Sequence, residues 1–294
     1  MSKQSIIAVF CAALACATIG LPPVPASADV TRAEDGKRKI NLSGRQRMLS
    51  QRMAKAVCFA QLGIEAKRHR AMAVAAHDLF DETLQGLRRG SAIQGMNEER
   101  HPQVLAELDG VDGLWRAYGP AVIDAAQTDA ASPAMFAEVA MLNVPTLAQM
   151  NAAVAMFERH YGTDDIHPAL ALAINVSGRQ RMLTQKASKE FCLIASGYEA
   201  AANRAALADT LALFEASLAA LRHGDDVMGL PPAPTPDLIA QLALVHDLWE
   251  PLRAVFATVS DGAVPTDGDI AIVAGGNDEV LREMNRAVGM YEAL

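Results

Sequence analysis

Apolar positions along the chain recur at helical spacing, and no stretch alternates with the period of a strand. Phe80, Leu84 and Leu87 stand four and three apart, and Leu105, Leu108, Val111, Leu114 and Trp115 continue the pattern farther on. The pattern predicts one helix from about Lys37 to Lys67 and a second from about Ala71 to Arg89, stopping at Gly90. A third helix carries Leu105 to Trp115, and a fourth ends near His160. Gly90 to His101 and Thr128 to Ser132 read as loops. Pro145 is expected to kink or delay the fourth helix.

The same plan then begins again. Ile40-Asn41-Leu42-Ser43-Gly44-Arg45-Gln46-Arg47-Met48-Leu49 recurs as Ile174-Asn175-Val176-Ser177-Gly178-Arg179-Gln180-Arg181-Met182-Leu183, an offset of 174 − 40 = 134. With no gap, that offset pairs Cys58 with Cys192, Phe80 with Phe214, Arg88 with Arg222, Trp115 with Trp249, and Met150-Asn151 with Met284-Asn285. The copies span about 34–161 and 167–294. The Pro-rich Gly224 to Pro236 is the second copy's loop, and Gly275-Gly276 are expected to weaken its last helix. Four helices joined by short connections predict an all-α chain of two tandem up-down four-helix bundles. Gly and Pro at Tyr161-Gly162 and His167-Pro168 predict a break between them. Whether the bundles lie side by side or end to end stays open here.

Composition sharpens this in three ways. About half the residues are hydrophobic and few are aromatic, which suits helices packed through small side chains. The formal charge of −8 argues against nucleic-acid binding, which needs a basic surface, but leaves room for a local basic site. The N-terminus reads as an export signal. Lys3 precedes an apolar run from Ile6 to Ile19, and Ala26-Ser27-Ala28 fits small-x-small cleavage. Residues 1–28 are therefore expected to leave after Ala28, giving a periplasmic protein with no later membrane span. Of the four cysteines, Cys58 and Cys192 would remain. They are expected to be free, buried thiols, because bridging geometry is strict. A bridge is the alternative if the two first helices pack in parallel.

The repeated segment carries the candidate chemistry. Identity is nine in ten over Ile40 to Leu49 and about one in three elsewhere. A core tolerates apolar swaps and does not require Asn, Gly, Arg and Gln in fixed order. Gly44, Arg47, Met48 and Gln51 share one helix face, with Arg45 on a neighbouring one. Gly178, Arg179, Arg181 and Gln185 repeat them. Glycine admits close approach to the backbone, and the planar guanidinium fork suits planar oxyanions. The competing reading is a solvated basic face paired with acids of its own bundle. Seven histidines form no metal-binding spacing, and no nucleophile motif or phosphate loop occurs, so neither a metal, a cofactor nor catalysis is expected.

Ile40 to Lys55 (INLSGRQRMLSQRMAK) and Ile174 to Lys189 (INVSGRQRMLTQKASK) resemble the signature of the PilJ-type sensory domain of type IV pilus chemotaxis transducers. That domain is similar to the P-box of the nitrate/nitrite sensor kinases NarX and NarQ. The resemblance implies a small oxyanion of the nitrate/nitrite class as ligand, a sensor kinase or chemoreceptor as partner, and pairing of first helices as in a homodimer. In the nitrate sensors, one arginine from each of two first helices, three positions after a glycine, clamps one nitrate. That places the roles here on Gly44 with Arg47 and on Gly178 with Arg181. The chain departs from the P-box at Arg45-Gln46 and Arg179-Gln180. A structural protein docking a partner through the arginine face is the alternative function.

Overall fold

The computed structural model describes residues 30–128, 132–163 and 165–294. The expected export signal lies outside them. Eight helices follow in order: α1 (Arg32–Gln61), α2 (Ala66–Arg89), α3 (Pro102–Gln127), α4 (Pro133–Tyr161), α5 (Pro168–Ala195), α6 (Ala200–His223), α7 (Pro236–Ser260) and α8 (Asp267–Glu292). Among the described residues the only β pairing is two single bridges, Ser91 with Met96 and Asp225 with Leu230, at the tips of the α2–α3 and α6–α7 loops.

Helix starts follow local chemistry. Thr31 and Glu34 form a capping box on α1, as Thr266 and Asp269 do on α8. Pro102, Pro133, Pro168 and Pro236 occupy first-turn positions, where a missing N–H costs nothing. The structure corrects the expected boundary between the first two helices. α1 stops at Gln61, and α2 already starts at Ala66. Gly63 (φ +75°) and Glu65 (φ +40°) take left-handed conformations that end the helix, and Gly197 and Glu199 repeat the turn. Pro145 neither ends nor delays α4, which starts at the Ser132 cap and includes the proline. Gly275 and Gly276 likewise lie within an unbroken α8. α4 is long and apolar enough to cross a membrane by length and composition alone, but Val139, Met150, Val154 and Phe157 are packed into the core.

α1–α4 form one antiparallel bundle and α5–α8 another, with α4 ending at Tyr161 and α5 starting at Pro168. Each core is built from the helical apolar faces. Phe80 stacks on Trp115 at 4.2 Å, and Phe214 on Trp249 at 4.0 Å. The two bundles lie side by side. α1 packs along α5, in parallel and in register, so that Gly44 opposes Gly178 and Cys58 opposes Cys192.

Two further ties cross this seam. Burial alone does not leave the cysteines as free thiols: Cys58 and Cys192 are disulfide-bonded, with Cα atoms 6.1 Å apart. Parallel packing satisfies the strict geometry that sequence alone leaves open. Above the disulfide lies a buried amine–amide layer. Lys55 Nζ donates to Asn277 Oδ1 of the other copy (3.0 Å) and reaches Asp278 (3.4 Å). Lys189 Nζ donates to Gln51 Oε1 and Asn143 Oδ1, both 3.0 Å away in the first copy. The counterpart of Asp278 is Val144, so Lys189 has no matching carboxylate. Burial pushes both lysines down to about 8.

Two outcomes follow from these ties. A non-reducing peptide map is expected to link the Cys58 and Cys192 peptides. Replacing both by Ser is expected to cost on the order of 3–5 kcal/mol, because the bridge closes a long loop. The second concerns pH. Between about pH 8 and 10.5 the unfolded chain keeps a proton on Lys189 that the folded chain has shed, so stability rises with pH across that window. Below it, the buried charge lowers stability. Denaturant melts from pH 7 to 10.5 should show a gain on the order of 3 kcal/mol from this residue, absent in Lys189→Met. Parallel curves for the two proteins would contradict it.

Candidate functional site

The paired glycines bring the two motif arginines together. A Cβ on Gly44 would lie 3.3 Å from Arg47 Nη2, 3.5 Å from Arg181 Nη2 and 3.8 Å from Gly178 Cα. A Cβ on Gly178 would meet Arg181 Nη2 at 3.2 Å and Arg47 Nη2 at 3.6 Å. Both guanidinium groups therefore sit over the same glycine crossing, one from each helix. Glycine in a helix interior costs about 1 kcal/mol against alanine, and here it creates the space both arginines occupy.

Each arginine then reaches across the seam. Arg47 Nη2 donates to the backbone oxygen (3.1 Å) and side-chain oxygen (2.8 Å) of Asn175 on α5. Arg181 Nη2 donates to the Asn41 backbone oxygen on α1 at 2.9 Å. Within their own bundles, Arg47 Nη1 contacts Asn151 Oδ1 (3.4 Å) and Arg181 Nη1 contacts Asn285 Oδ1 (3.2 Å). The Asn41 amide donates to Glu292 and the Asn175 amide to Glu158. These residue pairs are related by the 134-residue offset, so the site has a pseudo-twofold axis inside one chain, broken where the Asn41 side-chain oxygen lacks the arginine donor that its counterpart on Asn175 has.

The electrostatics are unusual for a protein interior. Arg47 and Arg181 are each only 3% exposed. Among the described residues neither forms an ion pair, and the Nε of each lacks a hydrogen-bond partner. Burial, and then the neighbouring Arg179 and Arg181, push Arg47 down to about 9. Burial, then Arg45, does the same to Arg181. Among the described residues these two buried cations have no carboxylate in direct contact; Glu158 and Glu292, hydrogen-bonded to Asn175 and Asn41, offset only part of the cost of burial, and an anion between the guanidinium groups would relieve their repulsion.

The other motif residues separate by role. Arg45 turns toward its own bundle and donates to Thr83 Oγ1 at 2.8 Å. Arg179, its counterpart, is half-buried, and its Nε lacks a partner. Burial lowers the pKa of both. Gln46 donates to the Phe80 carbonyl at 2.7 Å, and Gln180 to Ser217, so these glutamines tie the first helix of each bundle to the second. Gln51 and Gln185 sit one turn below the arginines. Gln51 accepts from Lys189, and Gln185 donates to Asn277. They belong to the amine–amide layer rather than to the guanidinium crossing. Helical spacing does not mark Asn41, Asn151, Asn175 and Asn285 as partners of the arginines. Their identity at the 134-residue offset was the available signal.

The type IV pili methyl-accepting chemotaxis transducer N-terminal family, PilJ, matches residues 30–139 and again residues 169–269. A methyl-accepting chemotaxis protein of Pseudomonas aeruginosa, McpN, is 32% identical over 120 residues, which is 41% of this chain and 22% of that protein. The chain thus spans about a fifth of that relative's length. The two family matches fall on the two halves of the repeat and together cover most of the chain, which belongs to the PilJ family and carries its domain in tandem.

Proposed function

We propose that this chain is an exported, non-catalytic sensory protein that binds one small oxyanion of the nitrate/nitrite class between α1 and α5 and relays its presence to a separate partner. One observation carries the reading. Arg47 and Arg181 are buried together over Gly44 and Gly178, with no carboxylate among the described residues in ion-pair contact. A planar anion with three oxygens could accept from both forks at once. The PilJ family and the chemotaxis relative support a signalling role, with a chemoreceptor or sensor kinase as the receiving partner. In the nitrate sensors two subunits supply the two arginines; here one chain supplies both.

A site closed to solvent gives binding a mechanical consequence. An anion enters only if the arginines let go of Asn41 and Asn175 across the seam. Occupancy is thereby coupled to the contact between α1 and α5. The docking-surface alternative needs an exposed arginine face, and the deep burial of Arg47 and Arg181 weighs against it.

Calorimetry with nitrate and nitrite is expected to give one anion per chain. Either Arg47→Ala or Arg181→Ala should weaken binding by about 10- to 100-fold, the value of a charge-assisted hydrogen bond pair. Gly44→Ala should weaken it with the fold intact, because its methyl displaces the guanidinium ends. Loss of half the sites from each arginine variant would overturn the shared site, and absence of oxyanion binding would overturn the ligand class. Export is checked separately by the intact mass of protein recovered from the periplasm, expected to begin at Asp29.

A further inference from the structure

The two copies differ where the second helix packs on the third. In the first copy, Trp115 Nε1 donates to Asp81 Oδ1 at 2.9 Å. Arg88 pairs with Asp109 (2.8 Å) and Asp112 (2.7 Å). Every donor there has a carboxylate. At the 134-residue offset the second copy keeps both donors, as Trp249 and Arg222, but changes the acceptors. Asp109 becomes Ala243, Asp112 becomes His246, and Asp81 becomes Glu215.

The consequences are visible in the structure. Trp249 is 1% exposed, and among the described residues its indole N–H has no acceptor. A buried indole N–H normally has one. Among the described residues Arg222 forms no ion pair. The nearby acids are directed elsewhere: Glu250 pairs with Arg253 at 3.1 Å, and Glu215 lies 3.8 Å from the same arginine. A cleft of about 250 Å³ opens between α6 and α7 here, lined by Trp249, Phe214 and Leu218, by Arg222, His246 and Arg253, and by Glu215 and Glu250, the two acids already turned to Arg253.

We infer that this cleft is a second ligand site, specific to the second copy, that binds a small organic monocarboxylate. The ligand's carboxylate accepts from Arg222, as Asp109 and Asp112 do from Arg88 in the first copy, and also takes up the buried Trp249 Nε1 donor, whose counterpart there is served by a separate carboxylate, Asp81. Its short apolar tail lies against Phe214 and Leu218. The volume suits a molecule of a few carbons and is below the usual range for drug-sized ligands. The site is separate from the guanidinium crossing, which lies on α1 and α5.

The chain has two tryptophans, so a proton–nitrogen correlation spectrum of the labelled full-length protein reports each indole N–H, with Trp249→Phe assigning them. Butyrate is expected to move the Trp249 signal saturably and leave the Trp115 signal in place, while butyramide moves neither. Arg222→Gln should weaken the butyrate response by about tenfold or more. A Trp249 signal indifferent to butyrate, or an unchanged response in Arg222→Gln, overturns the site. So does a shift of the ligand-free Trp249 signal in Glu215→Gln, which would show that Glu215 already serves as its acceptor.

Discussion

The close, parallel crossing of α1 and α5 at Gly44 and Gly178 is the contact on which the rest of the molecule depends. Without side chains at these two positions, the helices approach until each arginine reaches the other helix's backbone. The register set there also brings Lys189 to Gln51, Lys55 to Asn277 and Cys58 to Cys192. At 1.5 Å per residue, the fourteen residues from the glycine to the cysteine span about 21 Å, so one crossing organises a long seam. A methyl group at either glycine would press on both arginines.

The seam is held together, yet it carries cations with few acids to match. Arg47, Arg181 and Lys189 are buried against neutral oxygens. Such an interior resists charge, and the disulfide supplies covalent insurance against its opening. Sub-ångström changes at a bistable contact propagate because packed helices shift between discrete arrangements. A ligand acts on such a contact only through its preference for one arrangement, and the proposed anion would find that preference in the buried guanidinium pair.

Much of the fold was legible because helical periodicity and a gapless offset are local signals. Phe80, Leu84 and Leu87, and the two tryptophans, entered the core as their spacing implied. The pairing of Gly44 with Arg47 marked the residues that converge. What stayed hidden depends on the third dimension. Leu62 to Glu65 look helical in sequence, and the positive φ values at Gly63 and Glu65 end α1 earlier than its pattern suggests. The short linker permits side-by-side packing of the copies without requiring it, and the disulfide and the lysine layer follow only once that packing is known. The asparagines that hold the arginines lie on both first helices and on α4 and α8, and only their shared offset joins them in sequence.

A crystal structure of the full-length protein grown with nitrate tests the shared site most directly. One nitrate per chain is expected on the pseudo-twofold axis, between Arg47 and Arg181 and over Gly44 and Gly178, with the Asn41 and Asn175 backbone oxygens released. Two nitrates bound separately within the bundles, or nitrate bound only away from the α1–α5 seam while both arginines keep their asparagine partners, would contradict it.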